Sequence, residues 1–128
     1  MAQEVVLLDT NILIDFFRKT QKENSMFYEL SGQFDSVAVS AITEYEIFIG
    51  STVKQDEFWM TLFKQIKVHS FDSHLVRECI KIHRELRKER IIMDVPDLMI
   101  AATARFHNMK LATLNHKHFS HVAGLEII

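Results

Sequence analysis

Three acidic residues that lie after predicted strands are the part of this sequence best suited to chemistry. Asp9 directly follows the apolar run EVVLL (4–8), Glu46 lies in the helix after the strand DSVAVS (35–40), and Asp97 opens a later helix. Clustered carboxylates repel each other unless cations lie between them. An all-oxygen cluster suits a hard divalent ion such as Mg2+ or Mn2+, which commonly serves phosphoryl chemistry. These acids are therefore predicted to form a metal site.

The elements that must bring the acids together are predicted to form an α/β fold. Buried strands such as 4–8 and 35–40 alternate with helices such as 53–66 and 72–90 along the whole chain. This alternation is typical of a three-layer α/β/α sandwich with a mainly parallel central sheet. In such sheets the chemistry gathers at the carboxyl ends of the strands. The three acids should therefore meet at one edge of the sheet.

Glu46 is preferred over Glu44 for this cluster because of its position on the helix. The two glutamates are two residues apart, so their side chains point to nearly opposite sides. The apolar stripe of this helix is predicted to consist of Ile42, Tyr45 and Ile49, with Glu46 at its edge. Glu44 lies far from that stripe and is expected in solvent. Glu46 is therefore the predicted half-buried acid.

Length and composition favour one domain, spanning residues 1–128, that works in a reducing compartment. The chain has 128 residues, of which 48% are hydrophobic, and a formal net charge of −2. No apolar run is long enough to cross a bilayer, so no membrane partner is expected. The first residues show no secretory pattern. The single cysteine, Cys79, excludes a disulfide framework and fits the cytoplasm.

Four stretches of the sequence resemble the PIN domain family, and within it the VapC toxins of bacterial toxin–antitoxin pairs. They are LLDTNILID (7–15), SAITEYEIFIG (40–50), PDLMIAATA (96–104) and ATLNHKHF (112–119), in the family's order. The resemblance implies an Mg2+- or Mn2+-dependent endoribonuclease that cleaves RNA phosphodiester bonds with a metal-activated water. It also implies a homodimer and a small antitoxin protein that neutralises it.

The resemblance assigns the family's catalytic positions to four residues of this chain. The family's three acids correspond to Asp9, Glu46 and Asp97. Asp9 and Asp97 are expected to hold the ion, and Glu46 to complete the metal site. The fourth acidic position falls on Asn115, which removes one negative charge and favours a one-ion reaction. Asp94 is a nearby carboxylate that could partly compensate.

Polar residues beside these acids are expected to support the metal site or to contact RNA. Asn11 accompanies the first acid, and Thr113 corresponds to the family's hydroxyl near the same metal. Thr10 is expected to support the metal shell or, through its backbone N–H at a helix start, to help hold a phosphate. His118 stands near the same edge and is expected to approach RNA.

One face of the long helix 72–90 carries regularly spaced cations. Arg77, Lys81, Arg84 and Lys88 recur at steps of three or four residues, with glutamates intermixed. Two interpretations stay open at this point. The face is either solvated without a partner, or it follows the phosphates of RNA through Arg84 and Lys88.

Aromatic residues near the N-terminus suggest a surface for the antitoxin. They are Phe16, Phe17, Phe27 and Tyr28, together with Met26. In the family this region often contributes to the groove that receives the antitoxin. Core packing explains part of the pattern equally well.

Each predicted site residue also has a purely structural interpretation. Asp9 could serve only as a helix N-cap, and Asp97 could act only on the dipole of its helix. Asn115 could simply make a turn after its strand. Glu46 could be an ordinary surface acid. The position of Asp9 after a fully apolar strand, with the three other stretches in step, favours the site role.

Two alternative functions are weighed beside the nuclease. A catalytically impaired PIN-like protein, lacking the acid at position 115, would bind RNA without cutting it. A haloacid-dehalogenase-type phosphatase would use Asp9 as its nucleophile. That class requires a second Asp two residues later, where this chain has Asn11, so the phosphatase is the weaker alternative.

Overall fold

A four-stranded parallel sheet forms the centre of the fold in a computed structural model that describes residues 4–128. Short apolar and β-branched runs form the strands, as expected where both faces are covered. The strands are β1 (Val5–Leu8), β2 (Ser36–Ser40), β3 (Lys67–His69) and β4 (Lys110–Ala112). Their spatial order is β3-β2-β1-β4, and each neighbouring pair is parallel. β1, which leads into Asp9, therefore lies in the interior of the sheet.

Helices connect the strands, and capping side chains mark where several of them begin. In the described part of the chain they are α1 (Thr10–Arg18), α2 (Met26–Gln33), α3 (Ala41–Ile49), α4 (Val53–Phe63), α5 (Ser73–Lys88), α6 (Val95–Phe106) and α7 (His116–Phe119), with a short 3-10 helix at Lys22–Asn24. Asp9, Ser25, Ser40 and Asp72 accept hydrogen bonds from backbone N–H groups in the first turns of α1, α2, α3 and α5. Pro96 occupies the first turn of α6, where no helical hydrogen bond needs its missing N–H.

Two hydrophobic cores lie on opposite faces of the sheet, which confirms the predicted three-layer α/β/α sandwich. Leu7 of β1 and Leu111 of β4 face a core that includes residues of α5, α6 and α7. Val6 and Leu8, the alternate residues of β1, face a second core with α1, α2, α3 and α4. Within residues 4–128, no helix combines the length and the apolar character that crossing a bilayer requires.

The carboxyl ends of β1 and β4 lie side by side at one edge of the sheet. Leu8 of β1 is in register with Ala112 of β4. The pairing continues one residue further, because the backbone N–H of Asp9 donates to the Ala112 carbonyl over 2.9 Å. Asp9 and Thr113, the residues that follow the two strands, therefore emerge next to each other.

Some element boundaries differ from the sequence-based prediction. The stretch 22–32 predicts a short helix that ends at Gly32, but Gly32 lies inside α2, because the helix keeps its hydrogen bonding until Phe34 takes an extended conformation. Helix α4 ends at Phe63, three residues earlier than predicted. The stretch LEII (125–128) predicts a last strand, but it forms only a single parallel bridge between Ile127 and Leu111.

Candidate active site

Asp9 is a buried carboxylate at the end of β1, with only 6% of the residue exposed. Its Oδ1 accepts a hydrogen bond from the Thr10 N–H over 2.8 Å, and its Oδ2 accepts one from the Thr113 hydroxyl over 2.7 Å. Burial raises the pKa of Asp9; the hydrogen bonds from Thr113 and Thr10 lower it, and the charges of Asp97 and Glu46 raise it. The net result is a pKa above the ordinary value. The structure thus brings Glu46 and Asp97 within electrostatic range of Asp9.

Asp97 lies in the first turn of α6, with 23% of its side chain exposed. Its Oδ2 is 3.1 Å from Nδ1 of His118, and the same ring nitrogen is 3.0 Å from Nδ2 of Asn115. The backbone N–H of Asn115 donates to the Thr113 hydroxyl over 3.0 Å. These contacts join α6, α7 and the end of β4. Asp94, the expected spare acid, is exposed and makes no side-chain hydrogen bond as the cap of α6.

Glu46 is held at the site by hydroxyl groups from two helices. The Thr10 hydroxyl donates to Oε1 of Glu46 over 2.7 Å and lies 2.9 Å from the hydroxyl of Thr43. The Thr10 hydroxyl has only one proton, which it donates to Glu46, so the hydroxyl of the fully buried Thr43 donates to the oxygen of Thr10. Sequence reasoning gave Thr43 no role, although its position three residues before Glu46 puts both on one helix face.

The predicted apolar stripe of α3 was wrong, although the choice of Glu46 agrees with the structure. Tyr45 is 61% exposed and Ile49 is 70% exposed, whereas Thr43 and Ile47 are the buried residues of α3. The helix is rotated so that its Thr43–Ile47 side faces the sheet and α1. Glu46 shares this side and is half-buried, and Glu44 is exposed as expected.

Asn11 and Thr113 tie the start of α1 to the segment after β4. Oδ1 of Asn11 accepts a hydrogen bond from the Leu114 N–H over 3.2 Å, and its Nδ2 donates to the Thr113 hydroxyl over 3.4 Å. Thr113 is buried and donates its own proton to Asp9. Both residues therefore hold the first acid in place.

Arg84 and Lys88 lie exposed on α5, and neither is hydrogen-bonded to the three acids in the described part of the chain. Lys88 lines a surface cavity together with His121 and Val122. The last turn of α5 therefore lies close to the segment that follows α7, the helix whose His118 contacts Asp97. The structure brings Lys88 near the site without making it part of the acid cluster.

The acids fit a divalent ion by their chemistry, but they do not form a closed cage. Within residues 4–128, no three His, Cys, Asp or Glu side chains are arranged so that they could hold a metal ion by themselves. One oxygen of Glu46 receives the Thr10 hydroxyl, and one oxygen of Asp97 faces His118. Mg2+ usually keeps several waters and binds through one or two carboxylates. The arrangement matches such a water-rich site.

Comparisons with known proteins agree with this fold. The sequence profile of the PIN domain family matches residues 6–125. Ribonuclease VapC1 of Methanocaldococcus jannaschii is 35% identical over 125 residues, which cover 95% of this chain and 85% of the relative.

Two solved structures are similar across nearly the whole of both chains. A toxin–antitoxin complex from Klebsiella pneumoniae has a TM-score of 0.78 and 26% identity, and it covers 96% of this chain and 95% of its own. VapBC-1 from nontypeable Haemophilus influenzae has a TM-score of 0.83 and 25% identity, with 97% and 96% covered. The chain therefore belongs to the PIN domain family.

Proposed function

We propose that this chain is a metal-dependent endoribonuclease and the toxin of a toxin–antitoxin pair, with residues 1–128 forming one nuclease domain. The observation that carries the proposal is a hydrogen-bond network around the buried Asp9 at the carboxyl edge of the sheet. Thr10 links Asp9 to Glu46, and Thr113 links it to Asp97 through Asn115 and His118. An acidic edge of this kind is suited to a divalent cation and, through it, to a phosphate. The relative named ribonuclease VapC1 supports RNA as the substrate.

Asp9 and Asp97 are the proposed carboxylate ligands of Mg2+ or Mn2+, and Glu46 completes the site. A cation beside the buried Asp9 would offset both its burial and its repulsion by the other two acids. When bound, the ion supplies an activated water and stabilises the negative charge that develops on the phosphoryl oxygens. Asn115, at the family's fourth acidic position, contributes no charge, which supports a reaction with one ion.

The chain's own side chains orient these acids before any substrate arrives. Thr113 and the backbone N–H of Thr10 each hold one oxygen of Asp9. The hydroxyl of Thr10 holds Glu46, and Asn11 fixes the backbone beside Thr113. Groups held in this way lose little freedom when the substrate binds, and this favours the reaction.

RNA is the proposed substrate, and the cytoplasm is the proposed place of action. Arg84 and Lys88 are proposed to contact phosphates beside the site, because both are exposed and Lys88 lies near the segment after α7. The contacts are expected to be electrostatic and independent of base identity.

An antitoxin protein is the second proposed partner. A similar structure is described as a toxin–antitoxin complex, which supports a partner of this class. The aromatic residues near the N-terminus are only partly available for it. The rings of Phe16 and Phe27 lie 4.6 Å apart and pack on the core, whereas Tyr28 is exposed.

The test is cleavage of total RNA by purified protein in Mg2+ or Mn2+, with an EDTA control. Asp9→Asn should lower cleavage by about 100-fold or more, because it removes a ligand charge. Glu46→Gln should also lower cleavage, whereas its matched control Glu44→Gln, on the exposed side of the same helix, should cleave normally. Cleavage by Asp9→Asn at the wild-type rate would reject the proposed site.

The impaired RNA-binding protein is the second candidate, and Asn115 is the observation that favours it. The amide of Asn115 contacts His118, at the position where the family's fourth acid is expected. RNA binding without any metal-dependent cut, together with cleavage gained by Asn115→Asp, would establish this alternative.

A further inference from the structure

We propose that His118 is a positioning residue that holds the carboxylate of Asp97 in the orientation needed to bind a cation. The inference rests on the proposed metal-dependent function and extends it to a residue outside the acid cluster. Nδ1 of His118 lies 3.1 Å from Oδ2 of Asp97, although the two residues are 21 positions apart in the sequence.

One protonation pattern of the neutral imidazole satisfies both neighbours of the His118 ring. If Nδ1 carries the proton, it donates to Oδ2 of Asp97, and Nε2 is left as an acceptor. Nδ2 of Asn115 lies 3.0 Å from Nδ1 and 3.2 Å from Nε2, so the amide lies against the ring, and in this form only Nε2 can accept from it. The carboxylate of Asp97 only accepts hydrogen bonds when ionised, so Asp97 itself favours the form with the proton on Nδ1. The pattern parallels metal sites in which outer hydrogen bonds fix the ligands.

The ring of His118 can act as a fixed support because its helix is attached to the core. Phe119, the next residue of α7, is fully buried in the core that α5 and α6 share. His118 itself is 54% exposed, so packing alone would leave it several orientations. Its contacts with Asp97 and Asn115 select one of them.

In this arrangement the two carboxylate oxygens of Asp97 contact different partners. Oδ2 is occupied by His118, so Oδ1 is the oxygen that would bind the cation. The side-chain nitrogen of Asn115 lies against the His118 ring, so this position helps to hold His118 in place. Asn115, which stands where the family has its fourth acid, therefore supports His118 in this chain.

The first experiment tests the contact in the protein without metal. Nitrogen chemical shifts of the His118 ring, measured by NMR at mildly alkaline pH in EDTA, report which ring nitrogen carries the proton. We expect a protonated Nδ1 in the wild-type protein and loss of this preference in Asp97→Ala. A proton on Nε2 in the wild-type protein would overturn the proposal.

The second experiment measures Mn2+ binding by calorimetry and by the electron paramagnetic resonance spectrum of the ion. His118→Ala should weaken binding by about tenfold or more, as for other outer partners of metal ligands. His118→Asn should recover much of the affinity, because the side-chain nitrogen of Asn, like Nδ1 of His, is bonded to Cγ. His116→Ala is the matched control, since His116 is an exposed histidine of the same helix.

The outcomes separate this inference from the proposed function. Equal Mn2+ affinity in His118→Ala and His116→Ala, or no recovery in His118→Asn, would overturn the positioning role while the nuclease proposal stands. Absence of Mn2+ binding in the wild-type protein would reject both the metal site and a positioning role toward the metal. Protonated Nδ1 combined with the selective loss in His118→Ala would support the inference.

Discussion

At the scale of single residues, Asp9 explains why a carboxylate follows the most apolar strand of the chain. β1 is covered on both faces and is held by neighbours on both sides, so the residue at its end has a fixed position. Burial opposes ionisation, and two hydrogen bonds favour it. A bound cation would provide the remaining stabilisation of the ionised carboxylate. The free energy of unfolding of the metal-free protein should therefore show the cost of burying Asp9.

The stability of the metal-free protein should fall as the pH rises above the ordinary carboxyl pKa of 3.8. The pKa of Asp9 is raised in the folded state, so the unfolded chain releases this proton first and becomes relatively more stable between the two values. Asp9→Asn does not titrate. The free energy of unfolding of Asp9→Asn should therefore be higher than that of the wild-type protein by on the order of 1 kcal/mol at neutral pH. This difference should shrink as the pH falls toward 3.8.

Urea unfolding in EDTA, repeated across this pH range, measures the difference. Glu44→Gln, a change at an exposed acid, serves as the control and should follow the wild-type curve. A wild-type protein as stable as Asp9→Asn at neutral pH would contradict a burial cost at Asp9.

At the scale of elements, α5 has one side in the core and another side that carries cations. Ile82 and Leu86 are buried. Two of the glutamates that alternate with the cations, Glu78 and Glu85, form ion pairs with Arg105. Their charge is therefore partly compensated by α6 and does less to balance the exposed cations. This arrangement favours the RNA-contacting interpretation of α5 over a neutral solvated face.

Reversing the charges of Arg84 and Lys88 to Glu should weaken RNA binding by about tenfold at moderate salt. The slope of log affinity against log salt should become shallower by about 0.7 for each phosphate of single-stranded RNA that the variant no longer neutralises. The measurement uses fluorescence anisotropy in an Asp9→Asn background, which prevents cleavage. The same charge change is made across the sheet by combining Lys54→Glu, on α4, with Lys64→Glu, at the residue that follows α4. An equal loss of affinity in both double variants would indicate a general charge effect and no specific surface.

At the scale of the whole molecule, the exposed side of α3 is the proposed contact with a second copy of the chain. Tyr45 and Ile49 are one helical turn apart, and both side chains are mostly exposed. The family resemblance implies a homodimer. An apolar patch of this kind is suited to association between identical chains.

Ile49→Glu should shift the protein from dimer to monomer, because a charge would be buried at the contact. Light scattering coupled to size-exclusion chromatography measures the mass, and circular dichroism checks that the fold is kept. Ile92→Glu, at an even more exposed apolar residue outside the helices, should leave the mass unchanged. Dissociation by both variants, or by neither, would reject α3 as the contact.

Short-range patterns in the sequence were sufficient for the fold class, whereas the site residues were assigned with the help of the family resemblance and stay a prediction. The apolar run before Asp9 predicted a buried strand, and the order of strands and helices predicted a parallel sheet with its polar residues at one edge. These inferences succeed because side-chain periodicity and capping act over only a few residues.

Only the tertiary structure decided how α3 is rotated and what His118 contacts. Tyr45 and Ile49 have the spacing of a core stripe, yet Thr43 and Ile47 are buried instead. The reason is that the rotation of a helix is set by the neighbours on which it packs. His118 meets Asp97 because α7 and α6 pack on the same face of the sheet. Local periodicity carries no information about contacts of this kind, because they depend on where distant segments meet.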